Sequence, residues 1–167
     1  SKSATQSVSG SSDTTVSISI SGLSPAKTYY YRIVALSSAG TTNGSERSFT
    51  TSDTTAPACS ININSGDSYT NSTAVTLSLS ATDNVGVTGY YLSANATTPS
   101  ASGAGWTSIT STTNYSGSVS YTLGSGDGSK AIYVWYKDGS GNVSGTASDS
   151  ISLDTTAPSI TITNPTY

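Results

Sequence analysis

The chain has 167 residues, of which 9% are charged, and its formal net charge is −3 without a single histidine. The lack of a basic cluster argues against a nucleic-acid partner, which requires a positively charged surface. No apolar run approaches the ~20 residues needed to cross a bilayer, so no membrane-spanning segment is predicted.

Serine and threonine supply most of the polarity, with 37 Ser and 28 Thr against six basic and nine acidic residues. Apolar residues alternate with these hydroxylated residues along the chain. β-Branched Thr and aromatic Tyr suit the half-buried surface of a sheet. Because no segment has a helical period, we predict an all-β chain.

The first 52 residues predict three strands. Val16–Ile20 alternates between apolar and polar residues, and further strands are expected at Ile33–Ala35 and Arg47–Thr51. If these strands stood alone, they would expose apolar faces and an unpaired sheet edge, which recruits other strands.

A motif between the first two of these strands indicates their fold. Leu23, Pro25 and Tyr29 are spaced as in the tyrosine corner of fibronectin type III domains. In that motif the tyrosine hydroxyl bonds to the backbone at the corner of a sandwich. Residues 1–52 therefore resemble the later strands of such a domain, without its first three strands.

A pentapeptide of identical sequence occurs at Asp53–Pro57 and at Asp154–Pro158, 101 residues apart. Proline excludes helix and restricts the residue before it, so each copy predicts an extended linker. A period near 100 residues is the length of an Ig-type sandwich. We therefore expect a complete sandwich at 53–153, followed at 154–167 by a linker and the first strand of another repeat, Ser159–Thr163.

The central unit predicts seven antiparallel strands separated by Gly, Asn, Asp or Ser turns. One strand follows the linker, and the others lie at 75–81, 87–92, 106–109, 119–123, 130–137 and 146–153. Alternation places one set of side chains in the core: Val75, Leu77, Leu79, Val119, Tyr121, Ile132, Val134 and Tyr136. By the same alternation Tyr133 and Trp135 point outward, either to stack on sugar rings or to cover the sheet.

The central unit resembles the Ig-like repeats of large bacterial surface and secreted proteins. The likeness is carried by Asp53–Pro57, Ala81–Val87 and Tyr136–Ser144. The predicted fold is thus all-β, with tandem Ig-like and fibronectin type III-like antiparallel sandwiches. The resemblance implies display outside the cell in tandem arrays, frequently with calcium, and no shared reaction.

Three functions remain open at this point. The resemblance favours an extracellular spacer or adhesive repeat whose partners are the neighbouring sandwiches of the same chain. A carbohydrate-binding accessory module of a secreted enzyme would instead bind surface glycans. A filament subunit would add a strand of one copy to the open edge of the next copy.

Four side chains are candidate calcium ligands. In an Ig-type sandwich the incoming linker and two loops meet at one pole, which brings together Asp53, Asp83, Asp138 and Asn142. Three carboxylates with an amide oxygen would suit Ca²⁺, which takes six to eight oxygen ligands. Binding there would stiffen the joint with the preceding domain. The alternative is turn chemistry, because turns require the same residue types.

No catalytic set can be assembled from this sequence, so the chain is predicted not to be an enzyme. Without histidine there is no Ser–His or Cys–His pair, and Glu46 is the only glutamate. Cys59 is the single cysteine. It is expected either as a small hydrophobic residue on a strand or as a crosslink to another chain.

Overall fold

A computed structural model describes residues 5–9 and 12–162 of the chain. The chain divides into two compact units, Ser1–Asp53 and Thr54–Tyr167. The prediction of an all-β chain is confirmed, because the one helical element in the described ranges is a three-residue 3-10 turn at Asn64–Gly66. That part of the chain contains no helix with the length and apolar character to cross a membrane.

The first unit contains four short strands that follow one another as a single irregular hairpin. Its inner and outer strand pairs are both antiparallel. Tyr31 faces Arg47 and Val34 faces Asn43, so two residues on one side oppose three on the other, and this one extra residue interrupts the pairing as a β-bulge does. The strands are β1 (Thr28–Tyr31), β2 (Val34–Ser37), β3 (Gly40–Asn43) and β4 (Arg47–Thr50), with β1 paired to β4 and β2 to β3.

The corner that precedes this hairpin has the hydrogen bond expected from its motif. The backbone N–H of Ser24 donates to the hydroxyl of Tyr29 over 2.8 Å. This bond stabilises the phenolate more than the phenol, and it lowers the pKa of Tyr29 below its ordinary value.

Two of the predicted strands are not observed. Val16–Ile20 forms no strand, and neither do residues 159–162, while Thr163 lies outside the described residues. Both segments have the required alternation. A strand also needs a hydrogen-bonding neighbour, and the described chain supplies neither segment with one.

The second unit is built on one six-stranded sheet. Its strand order is β5-β7-β9-β10-β6, and β8 also pairs with β7. The pairs are antiparallel except for β6 and β10, which are parallel, contrary to the fully antiparallel prediction. The strands are β5 (Ala58–Ile63), β6 (Tyr69–Thr70), β7 (Ala74–Ser93), β8 (Thr107–Thr122), β9 (Gly128–Asp138) and β10 (Ala147–Leu153).

Strand β7 bends and changes neighbours along its length. Its first half pairs with β5 and its second half with β9, and the register shifts between Thr82 and Val87. As a result the sheet curls and brings β5 next to β10, where Asp149 accepts a hydrogen bond of 2.7 Å from Ile63 N–H.

The predicted number of strands is therefore wrong. The strands predicted at 75–81 and 87–92 are both parts of β7, and those predicted at 106–109 and 119–123 both fall within β8. Strand β6 was not predicted, because a two-residue strand has no pattern to detect. The remaining strands lie close to where alternation placed them.

The core lies inside the curl and agrees with the alternation of the sequence. Six of the eight predicted core residues are buried, whereas Val119 and Tyr121 are half-buried against the same cluster. The buried apolar cluster consists of Ile63, Val75, Leu77, Leu79, Ala81, Val87, Tyr90, Leu123, Ile132, Val134, Tyr136 and Ile151.

Candidate metal centre

Three carboxyl groups meet at one end of the second unit. Asp53 immediately precedes this unit, Asp83 lies at the bend of β7, and Asp138 ends β9. One carboxylate oxygen from each residue lies within 4.8 Å of the other two. The residues are only 6, 9 and 3% exposed, respectively. The register explains part of this arrangement, because Val87 beside the bend pairs with Asp138.

Asp83 shapes the bend and leaves one oxygen for a ligand. Its Oδ2 accepts hydrogen bonds from the backbone N–H groups of Val85 and Gly86, over 2.9 and 2.7 Å. Its Oδ1 is buried and accepts no hydrogen bond from the described part of the chain. Turn chemistry accounts for the first oxygen only. Burying the second without a partner is unfavourable, so Asp83 Oδ1 is an oxygen that could coordinate a cation.

Asp138 is held by the turn that follows it. Its Oδ1 accepts from the N–H groups of Ser140 and Asn142, and its Oδ2 accepts from the Asn142 side-chain amide over 2.7 Å. Asn142 therefore supports Asp138 through its amide nitrogen. For Asn142 to bind a cation, its amide would have to turn over and present the oxygen.

The charge of this acidic cluster is not balanced by Lys137, although this lysine is adjacent to Asp138 in the sequence. The Lys137 ammonium donates to the Ala101 carbonyl over 2.8 Å and lies 4.9 Å from the centre of the Trp106 ring. Carboxylates held so close repel one another unless a proton or a cation lies between them. The donors are all oxygen atoms, which suits a hard cation such as Ca²⁺.

The predicted ligand-binding aromatics are not an open platform. Trp135 does lie on the face opposite the core set, but it is 0% exposed and donates its indole N–H to the Thr146 hydroxyl over 3.0 Å. Its ring packs against Tyr133 and Tyr91. Trp135 therefore cannot stack on a sugar, and Tyr133 is half-buried. Alternation indicated which face Trp135 occupies but not what covers it.

Asp127 binds the threonines of the second pentapeptide, a contact that was not predicted from the sequence. Its Oδ1 accepts both the backbone N–H and the hydroxyl of Thr155, each over 2.7 Å, and its Oδ2 accepts the Thr156 hydroxyl. These hydrogen bonds lower the pKa of Asp127 to about 2, with the Thr156 hydroxyl contributing most. The only signal in the sequence is a glycine on either side of Asp127, which indicates a tight turn.

Cys59 lies on β5, half-buried against the core, as expected for a small hydrophobic residue on a strand. Its sulfur lies 3.5 Å from the Ser144 hydroxyl and 3.5 Å from the Gly145 carbonyl. The alternative of a crosslink to another chain stays a prediction.

No protein-family model matches this chain, and no curated protein matches it.

Proposed function

We propose that this chain is a non-enzymatic segment of an extracellular tandem-repeat protein, in which Ig-like sandwiches in series act as a spacer or stalk. The observation that carries the proposal is the burial of Asp53. This residue opens the repeated pentapeptide, yet it is 6% exposed and meets Asp83 and Asp138 of the second unit. A linker that is built into the fold in this way favours fixed spacing over free tethering.

We further propose that Ca²⁺ binds the cluster of Asp53, Asp83 and Asp138. The ion would relieve the repulsion among three carboxylates and would use the Asp83 oxygen that lacks a hydrogen bond. Because only the folded state gathers these ligands, binding stabilises it. The expected gain is about 2.7 kcal/mol when free Ca²⁺ exceeds its Kd a hundredfold.

Thermal melting with excess Ca²⁺ and with a chelator tests this proposal. Both tryptophans lie in the second unit, so their fluorescence reports its unfolding. We expect Ca²⁺ to raise the melting temperature of the natural chain. The Asp53→Asn variant should melt higher than the natural chain in chelator, because repulsion is reduced, but lower than it in Ca²⁺, because a ligand is lost.

This reversal of sign separates a metal centre from turn chemistry. A side chain needed only for its turn would lower the melting temperature in both buffers. The matched control is Asp67→Asn, which removes the same charge from an exposed position outside the acidic cluster. Equal melting of the natural chain with Ca²⁺ and with chelator would reject the metal proposal.

A carbohydrate-binding module is the second candidate, and its support is the row of rings formed by Tyr133, Trp135, Tyr91 and Trp106. Since the central Trp135 is fully buried, we expect no binding on a glycan array. Binding that is abolished by Tyr133→Ala would favour this candidate over the spacer.

A further inference from the structure

The outgoing pentapeptide, Asp154–Pro158, is attached to the second unit through its two threonines. Asp127 accepts three hydrogen bonds from Thr155 and Thr156. The motif's aspartate does not take part in that contact. Asp154 is exposed, and its carboxylate accepts only the N–H of Thr156, over 3.1 Å, among the bonds that the structure describes.

The register of the sheet accounts for the position of Asp127. Strand β10 pairs with β9 so that Leu153 faces Gly128, and the residues after Leu153 therefore emerge beside Asp127. Gly126 and Gly128 have φ values of +81° and +116°, which favour glycine and form the turn that presents Asp127. The contact thus follows from the strands themselves.

The incoming pentapeptide, Asp53–Pro57, has the same sequence, but here the aspartate takes a buried position. Asp53 lies with Asp83 and Asp138 in the acidic cluster. Asp53 and Asp154 occupy the same position in the motif, yet one is buried in an acidic cluster and the other faces solvent. Asp53–Pro57 leads into the second unit, whereas Asp154–Pro158 follows its last strand. Which residue of the motif contacts the unit therefore depends on whether the copy precedes or follows it.

We propose that the pentapeptide is a two-sided clamp. Its threonines bind the Asp127 turn of the repeat that precedes it, and its aspartate completes the acidic cluster of the repeat that follows it. The partner of the exposed Asp154 is therefore a buried pair of carboxylates, equivalent to Asp83 and Asp138, on a further copy of this unit. This inference rests on the tandem-repeat function proposed above.

A short linker held on both sides retains few free rotations. Its proline already fixes one backbone angle. The Thr-Thr segment loses freedom to the preceding repeat, and the aspartate loses it to the following repeat. Because the linker has only five residues and is held on both sides, the clamp gives the spacer a defined joint.

Matched substitutions in the two pentapeptides test the clamp on the 167-residue chain. The measurement is backbone hydrogen exchange at residues 54–56 and 155–157, followed by NMR with Ca²⁺ and with chelator. Thr155→Val and Asp127→Ala should each accelerate exchange at 155–157 on the order of tenfold, in both buffers, because hydrogen bonds to Asp127 are lost and local opening becomes easier. The matched Thr54→Val should leave exchange at 54–56 unchanged.

For the aspartates of the motif we expect the reverse, an effect in the incoming pentapeptide and none in the outgoing one. Asp53→Asn should accelerate exchange at 54–56, also on the order of tenfold in Ca²⁺. Asp154→Asn should leave 155–157 unchanged, because asparagine retains the oxygen that accepts from Thr156. Asp67→Asn controls for the loss of one negative charge and should affect neither pentapeptide.

Two results would overturn the clamp. One is unchanged exchange at 155–157 in both Thr155→Val and Asp127→Ala, and the other is equal acceleration by Asp154→Asn and Thr155→Val. Neither depends on calcium, since the threonine contacts contain no metal ligand. Failure of the calcium proposal appears separately, as equal melting of the natural chain with Ca²⁺ and with chelator.

Discussion

Both units contain leucines on antiparallel strands but bury them very differently. In the first unit Leu36 lies in the short strand β2 and is 80% exposed, whereas Leu77 in the alternating part of β7 is 0% exposed. Both residues belong to regular antiparallel pairs. The second unit differs in that its single sheet curls, so that the apolar face of the sheet encloses a core. Pairing into a strand therefore does not bury a leucine by itself, and the path of the sheet decides whether the strand has a core.

The largest expected effect is the loss of a core side chain in the second unit. Leu77→Ala should lower the free energy of unfolding of that unit by about 2–5 kcal/mol, through lost burial and the cavity left behind. The matched Leu36→Ala should change stability by less than about 0.5 kcal/mol, as at other exposed sites. Urea denaturation followed by the NMR signals of each unit measures both, and a similar loss in the two variants would contradict the comparison.

A smaller effect of opposite sign is expected at Tyr136. Its hydroxyl is buried without a hydrogen-bond partner among the described residues. Tyr136→Phe removes a polar group that is unfavourable to bury, so it should raise the free energy of unfolding at pH 7 by up to about 1 kcal/mol. A clear loss of stability in the same urea experiment would show that the hydroxyl has a partner.

The same tyrosine should make the second unit sensitive to alkali. Burial raises the pKa of Tyr136, and the nearby Tyr115 contributes less. Below the ordinary tyrosine pKa near 10 both the folded and the unfolded states are protonated, so the contribution is complete. As the pH rises further, the unfolded chain loses the proton first, and stability falls. Tyr136→Phe should flatten this decline between about pH 10 and 12, and an unchanged slope would contradict the assignment.

The smallest effect is local and lies in the first unit. Tyr29→Phe removes the hydroxyl that accepts from Ser24, so the Ser24 amide should exchange faster while tryptophan-detected unfolding stays the same. In an alkaline titration of the natural chain, Tyr29 should ionise below the ordinary tyrosine range and Tyr136 above it. Equal ionisation of the two tyrosines would remove this difference between the units.

Alternation could predict the burial of those residues whose environment depends only on which face of the sheet their side chain occupies. Leu77, Leu79 and Val134 belong to the core because alternate side chains share one face, and the structure buries all three. The bend of β7 could not be predicted in this way. A turn signal at Asp83 is compatible with two strands or with one bent strand, and the long-range pairing to β9 decides between them.

The candidate sites were predictable to different extents for a similar reason. Asp53, Asp83 and Asp138 were brought together by a topological argument, because the linker and two loops were expected at one pole. Asp127 required the register of β9 against β10, which no local pattern encodes. Trp135 shows the same limit, since its face followed from the pleat while its burial depends on rings from other strands.

The opposite placement of the two pentapeptides has a mechanical consequence. Asp53 lies near the end of β9 at Asp138, and Asp154 follows the partner of Gly128 at the beginning of the same strand. In the tandem array proposed above, tension along the chain would therefore run nearly parallel to β9, an 11-residue strand. Interstrand hydrogen bonds are perpendicular to the strands, so such a pull would shear many of them together instead of opening them one by one. A repeat loaded in this direction resists extension through its whole sheet.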